Sequence, residues 1–215
     1  MHVSMQYIAP GEVEAAHRHT MAAIRFVLKG SGAYTTVEGQ QCIMEEGDLI
    51  LTPQLTWHDH TNASDKPIIF FNGVDMPLIQ FLDQFTQELY PQTTQPIHAN
   101  SADVGFLNGN TQSSGSFNVP LIHYKWRDTE AALQTLKKFQ TPDPHDGFVL
   151  DYRNMVTRGP TLPSLQCRIQ LLTPHQATKA HRHTNTSIYS VFKGRGTTMI
   201  GDESFAWEQG DVFVV

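Results

Sequence analysis

The strongest constraint on the fold of this chain is a segment that occurs twice. AAHRHTMAAIRFVLKGSG, residues 15–32, returns as KAHRHTNTSIYSVFKGRG, residues 179–196. Each copy is followed by an acidic stretch and a Gly-Asp pair, EEGDLIL at 45–51 and EQGDVFVV at 208–215. His17 recurs 164 residues later as His181, and Gly47 recurs 163 residues later as Gly210. Two landmarks that keep register to within one residue point to a duplicated module. Inside each copy the pattern is β. In the first, the β-rich run 24–28 meets a turn signal at 29–32, and 33–37 follows before a second turn candidate at Glu38-Gly39. Gly47-Asp48 then leads into the apolar run 49–51. Short strands divided by glycine turns predict a sandwich or small barrel.

Between the copies the period changes. After Asp75, a candidate N-cap, apolar residues fall at Leu78, Ile79, Leu82, Phe85 and Leu89, a helical stripe. A second stripe runs through Ala132, Leu133, Leu136 and Phe139 within 128–139, and the Thr-Pro-Asp-Pro run at 141–144 ends it. The stretch 90–116, rich in Thr, Gln, Asn, Ser and Gly, reads as loop. The expected architecture is all-β with a helical connector: a first β module over 1–75, a part-helical connector over 76–146 and a second β module over 147–215.

Eleven histidines are unusual in 215 residues, and six of them form three His-x-His pairs: 17 and 19, 58 and 60, 181 and 183. On a strand, residues two apart share a face, so each pair can present both imidazoles to one metal ion. A lone His-x-His is more often surface or satisfied core than ligand. A further histidine after a Gly-Asp turn, with the pattern repeated, favours a metal, and His58 or His60 supplies the third ligand. If the strand continued past His19, Met21, Ala23 and Arg25 would share the parity of the pair. Arg25 would then face the same cavity, where a guanidinium fork suits a carboxylate. His60 shares the parity of His58, whereas Asp59 points the other way.

Composition removes several competing functions. Fifteen basic against twenty-one acidic residues leave a net charge of −6, with no basic run to bind nucleic acid or an anionic membrane. The longest apolar stretches, 67–71 and 212–215, are far short of a bilayer span, and no secretory signal pattern opens the chain. Two cysteines, Cys42 and Cys167, are too few for a disulfide framework, so a cytoplasmic protein is expected.

These residues match a family pattern. Gly11, His17, His19, Ala23 and Gly30 resemble the first cupin motif, with Ala23 at the position usually held by Glu. Gly47, Pro53, His58 and Asn62 resemble the second, with Leu55 where Gly is common. The stretches HRHTMAAIRFVLKGSGAYTTVEG, GDLILTPQLTWHDHTN, GVDMPL and DYRNMVTRGPTLPSL are similar to gentisate 1,2-dioxygenase and its relatives acting on salicylate and 1-hydroxy-2-naphthoate. The resemblance implies a bicupin of double-stranded β-helix barrels and an Fe(II)-dependent dioxygenase. Such an enzyme opens gentisate with O₂ between the carboxyl-bearing and adjacent hydroxyl-bearing carbons, giving maleylpyruvate. It assigns His17, His19 and His58 to the iron, Arg25 and His60 to substrate binding and catalysis, and Gln6 to a weaker pocket contact. It also implies a homotetramer, with a small aromatic hydroxy acid and O₂ as its partners.

Family members are longer at both ends, so the chain is expected to be truncated and its second cupin incomplete. There His181 and His183 hold ligand positions, but Ser187 replaces the Glu, Tyr189 stands where the first copy has Arg25, and His175 replaces the leading Gly. The second module is expected to be structural. Three readings compete: ring cleavage of gentisate, salicylate or 1-hydroxy-2-naphthoate; a zinc enzyme using three histidines and an activated water; and a non-catalytic metal- or ligand-binding cupin.

Overall fold

The computed structural model of the chain describes residues 1–98, 123–154 and 157–215. Two five-stranded antiparallel sheets face each other in the first half of the chain. One has the order β1 (His2–Ile8), β8 (Ile68–Val74), β3 (Ala23–Lys29), β6 (Leu49–Thr52), β10 (His123–Tyr124). The other runs β5 (Gln40–Ile43), β4 (Tyr34–Val37), β7 (His58–Thr61), β2 (Val13–His19), β9 (Gln87–Leu89). Apart from the β4–β5 hairpin, strands adjacent in sequence alternate between the two sheets, the arrangement of a double-stranded β-helix, in agreement with the cupin fold expected from the motifs.

Alternation along the strands sorts the residues between two cores. Ile8, Val27, Ala33, Met44, Ile50, Ile68 and Phe70 fill the space within the barrel. The opposite face of β3 and β6, carrying Ile24, Leu49 and Leu51, packs with Tyr152 and Leu162, and Ile188 and Val212 lie against the same cluster. Gly30 closes the β3 turn at φ +96°, and a Cβ there would lie 2.6 Å from the Pro67 carbonyl oxygen, so only glycine fits.

The helical stripe beginning at Leu78 is only partly realised. Helix α1 covers Met76–Phe81 and stops. Residues 87–89 instead form β9, which pairs with the second half of β2 (His17↔Leu89, His19↔Gln87). The reason lies in the partner: beyond His17, β2 would otherwise have a free edge, and its backbone groups need a strand beside them. The second stripe is realised as α2 (Trp126–Phe139), which buries Leu133 and Thr129 and ends before the prolines. The polar stretch 90–116 carries no helix or strand as far as residue 98, and its remainder lies outside the described residues. No described helix is long and apolar enough to cross a membrane.

The second copy repeats the backbone of the first more faithfully than its pairing. Gly30 and Gly194 have φ +96° and +95°, and Gly47 and Gly210 have +92° and +95°. His175, where the first copy has Gly11 at φ +77°, keeps the left-handed conformation at +63°. The described strands form two-stranded ladders: β11 (Phe148–Tyr152) with β12 (Cys167–Leu171), β13 (Ile188–Ser190) with β16 (Val212–Val214), and β14 (Arg195–Ile200) with β15 (Glu203–Glu208). His181 and His183 lie outside any strand, unlike His17 and His19.

Candidate metal centre and adjoining pocket

His17 and His19 close β2, and His58 opens β7 directly opposite His17. One ligating atom from each of the three lies within 4.8 Å of the others. The imidazoles are held by the chain's own carbonyls: His17 Nδ1 is 2.8 Å from Ala15 O, His19 Nδ1 2.9 Å from Met21 O, and His58 Nδ1 3.0 Å from Thr56 O. A carbonyl can only accept, so each Nδ1 carries the hydrogen and each Nε2 is left with its lone pair. The Nε2 of His58 is buried with no protein partner. Burial holds His19 down to about 4 and His58 well below the ordinary imidazole range, with the Arg25 charge acting in the same direction. Neutral imidazoles with bound Nδ1 hydrogens and converging Nε2 atoms are what a metal ion requires. Three nitrogen donors with open positions suit iron or zinc. Ala23, at the motif's Glu position, is fully buried and adds no donor.

Arg25 reaches the interior by another route than parity predicts. β2 ends at His19, residues 20–22 turn the chain, and β3 lies in the facing sheet. Arg25 shares an inward face with Val27 and is 3% exposed. Its Nη1 donates to Thr52 Oγ1, and its Nε is buried without a partner. Desolvation lowers the guanidinium to about 10, and the opposing influence is the negative charge of Glu14. A buried guanidinium satisfied mainly by a hydroxyl keeps donor capacity that a carboxylate could take up.

His60 is fully buried. Its Nδ1 lies 2.7 Å from Thr35 Oγ1, and when the Thr35 hydroxyl points to Met44 Sδ, 3.6 Å away, Nδ1 is the donor and Nε2 the acceptor. That Nε2 has no hydrogen-bond partner, and burial with the nearby Arg25 charge keeps the ring neutral. Gln6, on the inward face of β1 opposite Phe70, donates from Nε2 to Glu14. A cleft of about 230 Å³ is lined by Gln6, Tyr7, Ile8, Glu12 and Glu14. Asp59 faces away, its Oδ2 accepting from the Gln95 backbone and side-chain nitrogens at 3.0 Å each.

Sequence parity misses Glu14, because odd-numbered His17 and even-numbered Glu14 should oppose one another on β2. A bulge removes the opposition. Glu14 pairs with His60 and His17 with His58, so three steps on β2 match two on β7. Glu14 therefore faces inward with the histidines, and its Oε2 lies 3.9 Å from His60 Nε2. Only a register shift could have signalled this, and a single sequence does not display one.

In the second copy, the His181 ring packs at 4.8 Å from His183 and 5.4 Å from His145, and its Nε2 lies 3.4 Å from Asp146 Oδ1. These groups do not converge as His17, His19 and His58 do, which form the one such three-donor group among the described residues.

The cupin domain family matches residues 4–74. Gentisate 1,2 dioxygenase 1 of Aquipseudomonas alcaligenes is 36% identical over all of this chain and 63% of its own length. The 5-aminosalicylate 1,2-dioxygenase of Comamonas sp is 38% identical over 99% of this chain and 58% of the relative. Among solved structures, the salicylate 1,2-dioxygenase of Pseudaminobacter salicylatoxidans superposes with a TM-score of 0.80 at 28% identity, covering 99% of this chain and 64% of the other. This chain thus spans 58–63% of the length of the two curated relatives named.

Proposed function

The chain belongs to the gentisate 1,2-dioxygenase family, and from that premise we propose that it is part of an Fe(II)-dependent dioxygenase that opens the ring of gentisate between the carboxyl-bearing carbon and its hydroxylated neighbour. The observation that carries this reading is the pairing of three converging neutral imidazoles with a buried guanidinium that has no ion-pair partner within 4 Å among the described residues. His17, His19 and His58 would hold the ferrous ion. The iron would supply the activation of dioxygen that lets both oxygen atoms enter the ring.

The remaining work falls to the protein. Arg25 binds and orients the substrate carboxylate, fixing the ring relative to the three histidines. Gln6 donates an amide hydrogen to the same end of the substrate. His60, neutral and with a free Nε2 lone pair, accepts the proton of the ring hydroxyl, while Thr35 holds its Nδ1 hydrogen and so its tautomer. The apolar walls from Ile8, Ile50 and Phe70 exclude water and strengthen the Arg25–carboxylate attraction.

Gentisate is favoured because it is the substrate named for several of the curated relatives. The test is oxygen uptake by protein reconstituted anaerobically with Fe(II) and offered gentisate, salicylate and 1-hydroxy-2-naphthoate in turn. Iron-dependent uptake with gentisate supports the reading. Uptake with only one of the other two acids moves the substrate, and no uptake with iron bound leaves a metal-binding cupin. Uptake that proceeds equally with zinc would overturn the role given to iron.

A further inference from the structure

We propose that Glu14 is a built-in competitor for the substrate carboxylate, held in the subsite lined by Arg25, Gln6 and His60, and that it sets how tightly the pocket takes an aromatic acid. The inference rests on the substrate reading above. Three observations converge on it. The carboxylate of Glu14 already accepts the amide hydrogen of Gln6. It lies 3.9 Å from the buried, unpartnered Nε2 of His60. It is also the negative charge that acts on Arg25, whose Nε is buried and unpartnered.

The β2 bulge aims the side chain at this point rather than at solvent. A second carboxylate brought to Arg25 would meet Glu14 as a like charge in a low-dielectric pocket. Glu14 must therefore give way. Its side chain is 38% exposed and borders the cleft, so there is room for it to rotate outward. It would leave as the acid enters and return when the site empties, holding the Gln6 amide and partly offsetting the Arg25 charge in the meantime.

The experiment compares wild type, Glu14→Gln, Glu14→Ala and Glu14→Asp, each loaded with Fe(II) under argon and titrated calorimetrically with salicylate and with uncharged salicylamide. Loss of the charge in Glu14→Gln and Glu14→Ala should tighten salicylate by about fivefold or more, leaving salicylamide within about twofold. Glu14→Asp, which keeps the charge, should stay within about twofold of wild type for both ligands. Unchanged or weakened salicylate binding in Glu14→Gln and Glu14→Ala, with wild type binding normally, overturns the inference alone. Equal tightening by Glu14→Asp and Glu14→Ala, or equal gains for the acid and the amide, would make the effect steric and overturn it too. If wild type and all variants bind neither ligand, the substrate reading fails and takes the inference with it.

Discussion

Replacing Arg25 by methionine should make the empty protein more stable and unable to hold the acid. The guanidinium is 3% exposed, and desolvation chiefly lowers its titration from the ordinary arginine range to about 10. At about 1.4 kcal/mol per pH unit, that is a cost of about 3 kcal/mol to the folded state at every pH below about 10. The sign is fixed by the direction: the unfolded chain holds this proton more tightly, so burial of the charged form favours unfolding until pH rises past 10. Methionine occupies a similar volume, fills irregular space and carries no charge. It forgoes the hydrogen bond to Thr52, worth about 1 kcal/mol. The net gain is about 2 kcal/mol, or roughly 4–8 °C in Tm for a chain of this size. Saturating salicylate, at about a hundred times its Kd, should add about 3 kcal/mol to the wild type and nothing to Arg25→Met. Differential scanning fluorimetry on equally metal-loaded proteins, with and without the acid, reads both effects. An Arg25→Met protein that melts below wild type without acid, or that gains as much from salicylate, would refute the assignment of a strained, anion-seeking arginine.

Removing metal with a chelator should leave a fold that is sensitive to acid. His19, His58 and His60 are held below the 6.5 of an unfolded imidazole, so the unfolded state takes up protons first as pH falls. Stability is then lost from about pH 6.5 downward, by about 2 kcal/mol at pH 5 from His19 alone, and melting of the apo protein across pH 7.5 to 5 checks it. His58→Ala removes one of three converging nitrogens and should lower metal affinity by at least about tenfold, measured by competition with a chromogenic chelator. Leu55 sits at φ +60°, so Leu55→Val should cost about 1–2 kcal/mol relative to Leu55→Gly in denaturant unfolding, because a β-branched side chain is poorly tolerated there. Gly30→Ala should be markedly more damaging, since its Cβ meets the Pro67 backbone oxygen at 2.6 Å.

Much of the barrel was legible because its signals are local. Glycine turns, strand runs and the recurrence of residues 15–32 at 179–196 all survive in one dimension. So did the pairing of His17 with His19, since a period of two puts both on one face, whereas parity left the third ligand open between His58 and His60 and only the family resemblance singled out His58. Elements whose identity depends on a neighbour were misread. Residues 87–89 have helical spacing in the sequence, but β2 needed an edge partner, and the strand that supplies it ends the helix at Phe81. Arg25 was placed inward by parity along a strand that in fact stops at His19, and it arrives there because β3 crosses to the facing sheet with the same inward face as Val27.

By itself, then, the sequence determined the repeated β modules, the turns that only glycine can make and the stock of imidazoles, because each is written in residue type and short spacing. Tertiary structure alone decided which side chains meet. One extra residue in β2 turns Glu14 inward beside His60, and the closure of two sheets brings Arg25 from the opposite wall. Register and sheet pairing are properties of two strands at once, and no periodicity within either strand encodes them.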